Sequence, residues 1–524
     1  MQNSNISKTS FKKDNNGRAI LGSAKEMAEW VNLGFEEQER NRRPDIPFWK
    51  PYIDLRNSVL YVSYPIGSNN PTSKIFNLSD IAGIVPGITK IEGDPNYLFE
   101  VEYDILLDGS ELYGNFFHYV KFDGRVCMDN VTVCGSFSCF RCHFGDVVYM
   151  QDIHLEQGFT FEQCEFESGL VMTGATVGGI NASFNNCHIK DRLSLVEASV
   201  VNKRADGYEQ RIVISNCEVD NLKISKIKTD GIPFYIANTS IHGMKMNNVM
   251  LDDALCFGSC TLDGIITSVI DDGNPNNQIK QLIFHSCDVK AEYHIENSNI
   301  DNFAFHFSKI DNAGRLRFEQ CNIEKFVAES SSVYGQMDVI GNKISEFRLD
   351  ETCVQGYLNF QGNEVDKYTN RQTLRLLKNE ALKVNDHVSA TQLYAKEMKM
   401  LLSDKSVSRV DKVSLWINRL FSGFGVNWWQ ALLVTVALSV FLVTLMLGFG
   451  SSEYRFDWSG EFMGFGPFAT TLLDSINVFS IPLFSKTIET YGLNVWGQIL
   501  YFIIKIVVAY GTYQFVVAFR KYGR

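Results

Sequence analysis

The chain has 524 residues, 45% of them hydrophobic, with a formal net charge of −11, twelve cysteines and nine histidines. That length allows two to four domains, and the acidic balance argues against nucleic acid as a partner. The charge is uneven: residues 1–100 hold 12 acidic and 12 basic side chains, residues 101–365 hold 37 and 20 (net −17), and residues 366–524 hold 11 and 17 (net +6). A basic C-terminal segment suits an anionic lipid surface.

Residues 1–20 are polar and lack the apolar core of a secretory signal, so the N-terminal bulk is expected on the side of synthesis. Ser23-Ala24-Lys25-Glu26 reads as a capping box opening a helix to about Arg43, with Met27, Trp30, Val31 and Phe35 on one side. Its expected task is to cover one end of the next domain. Residues 50–110 hold short strand-like runs between Gly, Pro and Asn turns, and are grouped with the tail and helix as an irregular cap, 1–111.

From residue 112 to 365 a repeat dominates: a small residue, any residue, then an aliphatic or Phe. Cys142-x-Phe144, Cys164-x-Phe166, Cys187-x-Ile189, Cys217-x-Val219, Cys260-x-Leu262, Cys287-x-Val289 and Cys321-x-Ile323 are the cysteine-bearing examples. From Cys287 the steps between small residues are 11, 10, 13, 10, 11, 10 and 11, so two steps make a turn of about 21 residues. The expected fold is mainly β, a β-solenoid. Alternate strand side chains point one way, so the small residue and the large one both face inward. These seven cysteines are expected to stack as a structural column of free thiols, since parallel side chains give poor disulfide geometry. Cys139/Cys142 is a lone CxxC without a second pair, so neither zinc nor a cofactor is expected there. Polar surplus at Lys203–Gln210 and Asp271–Asn277 marks two loops leaving the coil.

Small-x-large inward pairs at five-residue sides resemble pentapeptide-repeat proteins, although the strict A-[DN]-L-x-x motif is absent. The resemblance implies a right-handed quadrilateral β-helix. Many bacterial membrane proteins of this kind continue into a charged helical hairpin and a C-terminal two-helix, ion-channel-like segment. Asn370–Lys383, Val388–Leu402, Trp428-Trp429 and the ending Tyr513-Gln514-Phe515 to Arg520-Lys521 resemble that arrangement, which implies a homo-oligomer of four subunits.

On their own terms, residues 366–404 read as a helical hairpin turning at Asn385-Asp386-His387. Residues 405–429 read as a basic amphipathic helix for the headgroup layer, with Arg409, Lys412, Trp416 and Arg419, ending at an interfacial Trp428-Trp429 pair. In the domain 430–524, Ala431–Phe449 is nineteen residues without a charge, and Leu493–Phe519 is apolar except for Lys505. Between them Gly464–Phe484 mixes apolar residues with Gly, Pro, Thr, Ser and Asn, as a re-entrant segment would. Asp474, Ser475, Asn477, Ser480, Lys505 and Gln514 are the candidate intramembrane polar residues, with Lys505 expected to meet Asp474. Arg520 and Lys521 follow the last span, so the positive-inside rule puts both termini in the cytoplasm of an inner-membrane protein. Two functions fit this layout: an ion channel gated or assembled by its repeat domain, or a non-conducting anchor that presents the solenoid to a cytoplasmic protein. No nucleophile elbow, phosphate loop or zinc signature suggests an enzyme. Ser475–Phe484 lacks a TVGYG-type loop, which removes the case for potassium selectivity.

Overall fold

The computed structural model describes residues 11–13, 19–21, 24–40, 52–56, 58–61, 85–113, 117–178, 181–201, 211–229, 231–268, 277–451, 465–477 and 492–520. The chain divides into two units, Met1–Thr369 and Asn370–Arg524.

The first unit is a parallel β-solenoid of about eleven turns over residues 99–368. One turn consists of the short strands Phe137–Phe140, His143–Phe144, Val148–Tyr149 and His154–Leu155, the first to fourth faces. Each pairs in parallel with its counterpart a turn later: Phe137 with Phe159, His143 with Glu165, Val148 with Leu170, and His154 with Thr176. From Met250 on, the fourth and first faces run together as single strands such as Gln278–His285, Asn299–His306 and Asn322–Glu329. Their corner survives as a skip in pairing: Ile279 meets Ile300 and Gln281 meets Asn302, leaving Lys280 and Asp301 unpaired and exposed.

The core is built by like side chains meeting along the axis, because in-register coils place equivalent residues in contact. On the second face Phe122, Phe144 and Phe166 stack with ring centroids 5.1 and 4.8 Å apart. On the first, Phe161 stacks on Phe184 at 5.3 Å.

Left-handed residues mark two corners of the coil, and at the first-to-second corner from Arg141 on each comes immediately before the small inward residue. At the first-to-second corner these are Arg141, Gln163, Asn186, Asn216, Asn238 and their successors down to Glu351, with φ from 47° to 57°. The small residue that follows serves as a hydrogen-bond device. Cys142 Sγ donates to Phe117 O at 3.3 Å, Cys260 Sγ to Ile236 O at 3.2 Å and Ser331 Oγ to Phe305 O at 2.8 Å. The same side chain accepts from the previous turn's amide: Cys287 N donates to Ser308 Oγ at 3.0 Å, and Cys217 N to Thr239 Oγ1 at 3.4 Å. Backbone groups that the corner takes out of the ladder are thereby paired.

The cysteines do not form one column. Cys142, Cys164, Cys187, Cys217, Cys260 and Cys287 share the first corner with Thr239, Ser308, Ser331 and Thr352. Cys321 lies at the opposite, third-to-fourth corner, where its amide donates to Asn342 Oδ1 at 2.8 Å and the Asn342 amide donates to Asn363 Oδ1 at 2.9 Å. The step from Cys287 to Cys321 is 34 residues, about one and a half turns, so the two cannot share a corner. All twelve cysteines are free; eight are buried and Cys353 is exposed. Burial pushes the Cys142 and Cys164 thiols well above the ordinary thiol range and Cys127 to about 11.

The ladders begin earlier than residue 112. Phe99–Val101 pairs with Val120–Phe122, Tyr52–Asp54 with Asp104–Leu106, and Ser58–Tyr61 with Glu111–Tyr113. Helix α1 (Ala24–Arg40) packs on this first turn, burying Met27, Ala28 and Val31 and setting Phe35 edge-on to Tyr103 at 5.8 Å. Ser23 of the expected capping box and the two expected surface loops, Asn277 apart, lie outside the described residues. The flanking strands stay in register across both loops, as Asn185 with Ser215 and Phe257 with Phe284 show.

The second unit is helical. Helix α2 (Arg371–Lys383) is capped by Asn370, whose side chain accepts from Thr373 N, and α3 (His387–Ser403) by Asp386, which accepts from Ser389 N. They form the expected hairpin, with Leu374, Leu377 and Leu393 buried between them and Val384 exposed at the turn. Glu397 is buried and held by Arg375 Nε at 2.6 Å and Lys378 Nζ at 3.3 Å. Among the described residues four further helices follow: α4 (Arg409–Ser422), α5 (Trp428–Gly450), α6 (Phe465–Ile476) and α7 (Val495–Arg520).

Candidate membrane-spanning site

At 1.5 Å per residue, α5 (23 residues) is about 35 Å long and α7 (26 residues) about 39 Å, against a hydrocarbon core of about 30 Å. Both are long and apolar enough to cross a membrane. Both also expose large apolar side chains along their length, among them Leu433, Phe441, Ile499, Phe502, Ile506 and Val516. A helix at the centre of a soluble core would hide these.

The two run antiparallel and come close through small residues. Gly450 lies against Gly497, where an added Cβ would sit 2.4 Å from Gly497 Cα, and Gly511 lies against Thr435, where it would sit 1.9 Å from the hydroxyl oxygen. Glycine is what allows such an approach between membrane helices. Asn494 ties the far end, donating from its amide to Gly450 O at 2.8 Å and from Nδ2 to Phe449 O at 3.3 Å. The buried face of α7 runs Gly497, Tyr501, Ile504, Lys505, Val508, Gly511, Gln514 and Ala518, a helical stripe.

Helix α6 has twelve residues, about 18 Å, too short to span. It packs on both α5 and α7, with Phe468 and Leu472 against a core of Val443, Met446, Leu447, Tyr501, Ile504 and Val508. Its C-terminal end meets α7. Lys505 Nζ donates to the backbone oxygens of Asp474 at 2.5 Å and of Asn477 at 2.9 Å, and the Tyr501 hydroxyl donates to Asp474 Oδ2 at 2.8 Å. A helix ends in carbonyl groups without intrahelical partners and carries partial negative charge there, so an ammonium satisfies both needs. Lys505 was expected within salt-bridge distance of Asp474; the contacts it makes here are to the main-chain oxygens of Asp474 and Asn477, while the Asp474 carboxylate accepts from Tyr501.

Gln514 belongs elsewhere. It is buried and accepts a hydrogen bond from Ser422 Oγ at 2.7 Å, which joins the end of α4 to α7. The candidate intramembrane polar residues thus separate into one group at the end of α6 and one under α4. The Ser475 side chain, Ser480 and Lys521 lie outside what is described. Tyr501 and Ser422 were not singled out from sequence. Tyr501 stands one helical turn before Lys505, a spacing that would have found it.

The residues expected at the membrane interface gather at one end of the helix pair. Trp428 and Trp429 stack at 4.4 Å, and Trp428 is edge-on to Phe519 of α7 at 5.9 Å, one residue before the exposed Arg520. Phe421 of α4 packs edge-on to Tyr510 at 5.0 Å. Helix α4 leaves Val410, Val413, Trp416, Ile417 and Leu420 exposed, alongside the exposed Arg409 and Arg419 and the half-buried Lys412. That is an apolar stripe bordered by cations.

Compared with protein-family models, curated proteins and solved structures, the chain matches none. The pentapeptide-repeat resemblance therefore rests on the sequence pattern, while the structure shows a parallel β-solenoid followed by helices, two of them apolar and C-terminal.

Proposed function

We propose that the chain is an inner-membrane protein, anchored by α5 and α7, that assembles as a homo-oligomer with a channel-like membrane domain and a cytoplasmic β-solenoid. One observation carries this: α6 is apolar, too short to cross, and docked by its C-terminal end on Lys505 of a helix long enough to span. A helix that ends at membrane depth leaves carbonyl groups in need of partners, and α6 keeps Leu473 and Ile476 exposed when packed on one helix pair. Neighbouring subunits supply the remaining cover, in a closed ring for which the family resemblance suggests four copies. The stripe on α4, bordered by cations, lies in the headgroup layer of the cytoplasmic leaflet, with both termini on that side.

A non-conducting anchor is the second reading. It is favoured by the same contact, because carbonyls at the end of α6 accept from a protein ammonium. In that case the solenoid is the working part and its partner is a cytoplasmic protein. Purification in mild detergent, with particle mass measured by light scattering, tests the oligomer, and a monomer removes both ring and channel. Ion flux into liposomes then separates the two: flux dependent on the protein supports the channel, and its absence from a confirmed oligomer supports the anchor.

A further inference from the structure

The outer surface of the second face presents a row of basic and acidic side chains, because in-register coils stack outward residues as strictly as inward ones. Lys121, His143, Glu165, His188 and Glu218 occupy successive levels of one outward row. Glu167 and Lys190 stand beside that row, each two residues beyond a row member.

Across two adjacent levels three potential ligands converge. The side-chain ligand atoms of His143, Glu165 and Glu167 all lie within 4.8 Å of one another. His143 Nδ1 is already 3.1 Å from Glu165 Oε2. Zinc–ligand bonds of roughly 2.0–2.2 Å in a tetrahedron place donor atoms about 3.3 Å apart, so small side-chain rotations suffice. The Tyr97 ring stands edge-on to the imidazole with centroids 6.0 Å apart.

We propose that His143, Glu165 and Glu167 form a site for a first-row divalent cation of the zinc class, with Lys190 as its built-in competitor. Lys190 Nζ donates to both Glu167 oxygens, at 2.8 and 2.7 Å. A cation that takes Glu167 displaces this ammonium. The three ligands leave at least one coordination position for water or for an anionic group on a partner. Binding joins two adjacent turns of the solenoid, since His143 and Glu165 belong to paired strands.

The test is titration of the full chain in mild detergent with Co²⁺, followed by visible absorption. A saturable site with nitrogen and oxygen ligands and no sulfur-to-metal band in the near ultraviolet is expected. His143→Ala and Glu165→Gln should each weaken binding by at least about tenfold. Lys190→Met should tighten it several-fold, which a merely structural role for Lys190 would not produce. His188→Ala, whose Nε2 is 3.6 Å from a Glu218 oxygen, should leave it unchanged. Binding that persists in His143→Ala, weakens in Lys190→Met or carries a thiolate band overturns the proposal. Should His143→Ala fail to fold, Glu165→Gln and Lys190→Met decide alone.

Discussion

Lys505 Nζ lies 2.5 Å from the backbone oxygen of Asp474, while the Asp474 carboxylate takes the Tyr501 hydroxyl. An ammonium held partly by main-chain oxygens cannot be replaced by exchanging side chains. Lys505→Asp is expected to release α6, because it sets a carboxylate against carbonyl oxygens. The Lys505→Asp/Asp474→Lys double exchange should not recover assembly. Lys505→Met should be milder: it loses two charge-assisted bonds worth about 1.5–3 kcal/mol each, offset by the roughly 2.5–3.5 kcal/mol cost of keeping a charge near mid-membrane. Particle mass in detergent reads all three, and full recovery in the double variant would contradict this account.

Close approach of α5 and α7 depends on glycines. A Cβ at Gly511 would meet both Thr435 Oγ1 at 1.9 Å and Thr435 Cγ2 at 2.6 Å, so the helices must separate or Thr435 must turn. Gly511→Leu should break the pair, and Gly511→Ala with Thr435→Gly should restore much of it, since Thr435 Oγ1, Cγ2 and Cβ, the last at 2.8 Å, are then all gone. The check is cross-linking between cysteines placed on the two helices near this crossing. Equal cross-linking in wild type and Gly511→Leu would remove the packing role.

The corner thiols act as weak donors in space that admits only small side chains. Cys260→Ser should change stability by no more than about 1 kcal/mol, since Ser308 and Ser331 already fill the same column. Cys260→Leu should cost about 1–3 kcal/mol through overpacking, beyond the lost bond to Ile236 O. Thermal midpoints compare the two. Alkylation of the native chain should label Cys353 first and spare buried positions such as Cys164 until denaturation, and rapid labelling of Cys164 would contradict its burial.

His242 joins three turns. Its Nδ1 is 2.6 Å from Asp263 and its Nε2 3.3 Å from Glu218. Burial pulls its pKa down, but hydrogen bonds to the two carboxylates outweigh it, and the net direction is up from 6.5. A histidine raised on folding stabilises most when protonated. The contribution is therefore full below 6.5 and is lost as pH rises through the folded value. Full-length protein should melt at a higher temperature, relative to His242→Ala, at pH 6 than at pH 8. A difference that grows with pH would reverse the assignment.

Much of the solenoid was legible because its constraint is steric. A narrow coil admits a large inward residue beside a small one, and Cys142-x-Phe144 or Cys217-x-Val219 records that directly. The half-turn steps also carried the answer for Cys321, three steps from Cys287 and so at the other corner, but chemistry alone groups it with the other thiols. The first turns were missed because Tyr52–Asp54 and Phe99–Val101 lack a small partner at fixed spacing. In the helical unit, apolar length identified α5 and α7, and membrane cost identified Lys505. Which atom of Asp474 receives the ammonium depends on where α6 ends, and no spacing rule reports that.

The left-handed corners are the feature whose sequence signal is weakest and whose energetic test is cleanest. Asn186, Asn216 and Asn238 occupy successive levels of one corner with φ of 51°, 53° and 49°, followed by Cys187, Cys217 and Thr239. Asparagine visits this region more readily than other non-glycine residues, whereas a β-branched residue there is strained. The side chains also form a ladder, Asn238 Nδ2 donating to Asn216 Oδ1 at 3.3 Å and Asn216 Nδ2 to Asn185 Oδ1 at 3.2 Å. If backbone conformation dominates, Asn216→Gly should be close to neutral and Asn216→Val should cost about 1–2 kcal/mol. If the ladder dominates, both should cost alike, because both remove the amide. These bonds lie at the exposed corner, where water replaces a lost partner, so conformation should win. Thermal unfolding of the two variants decides, and equal destabilisation would assign the corner to its side chains.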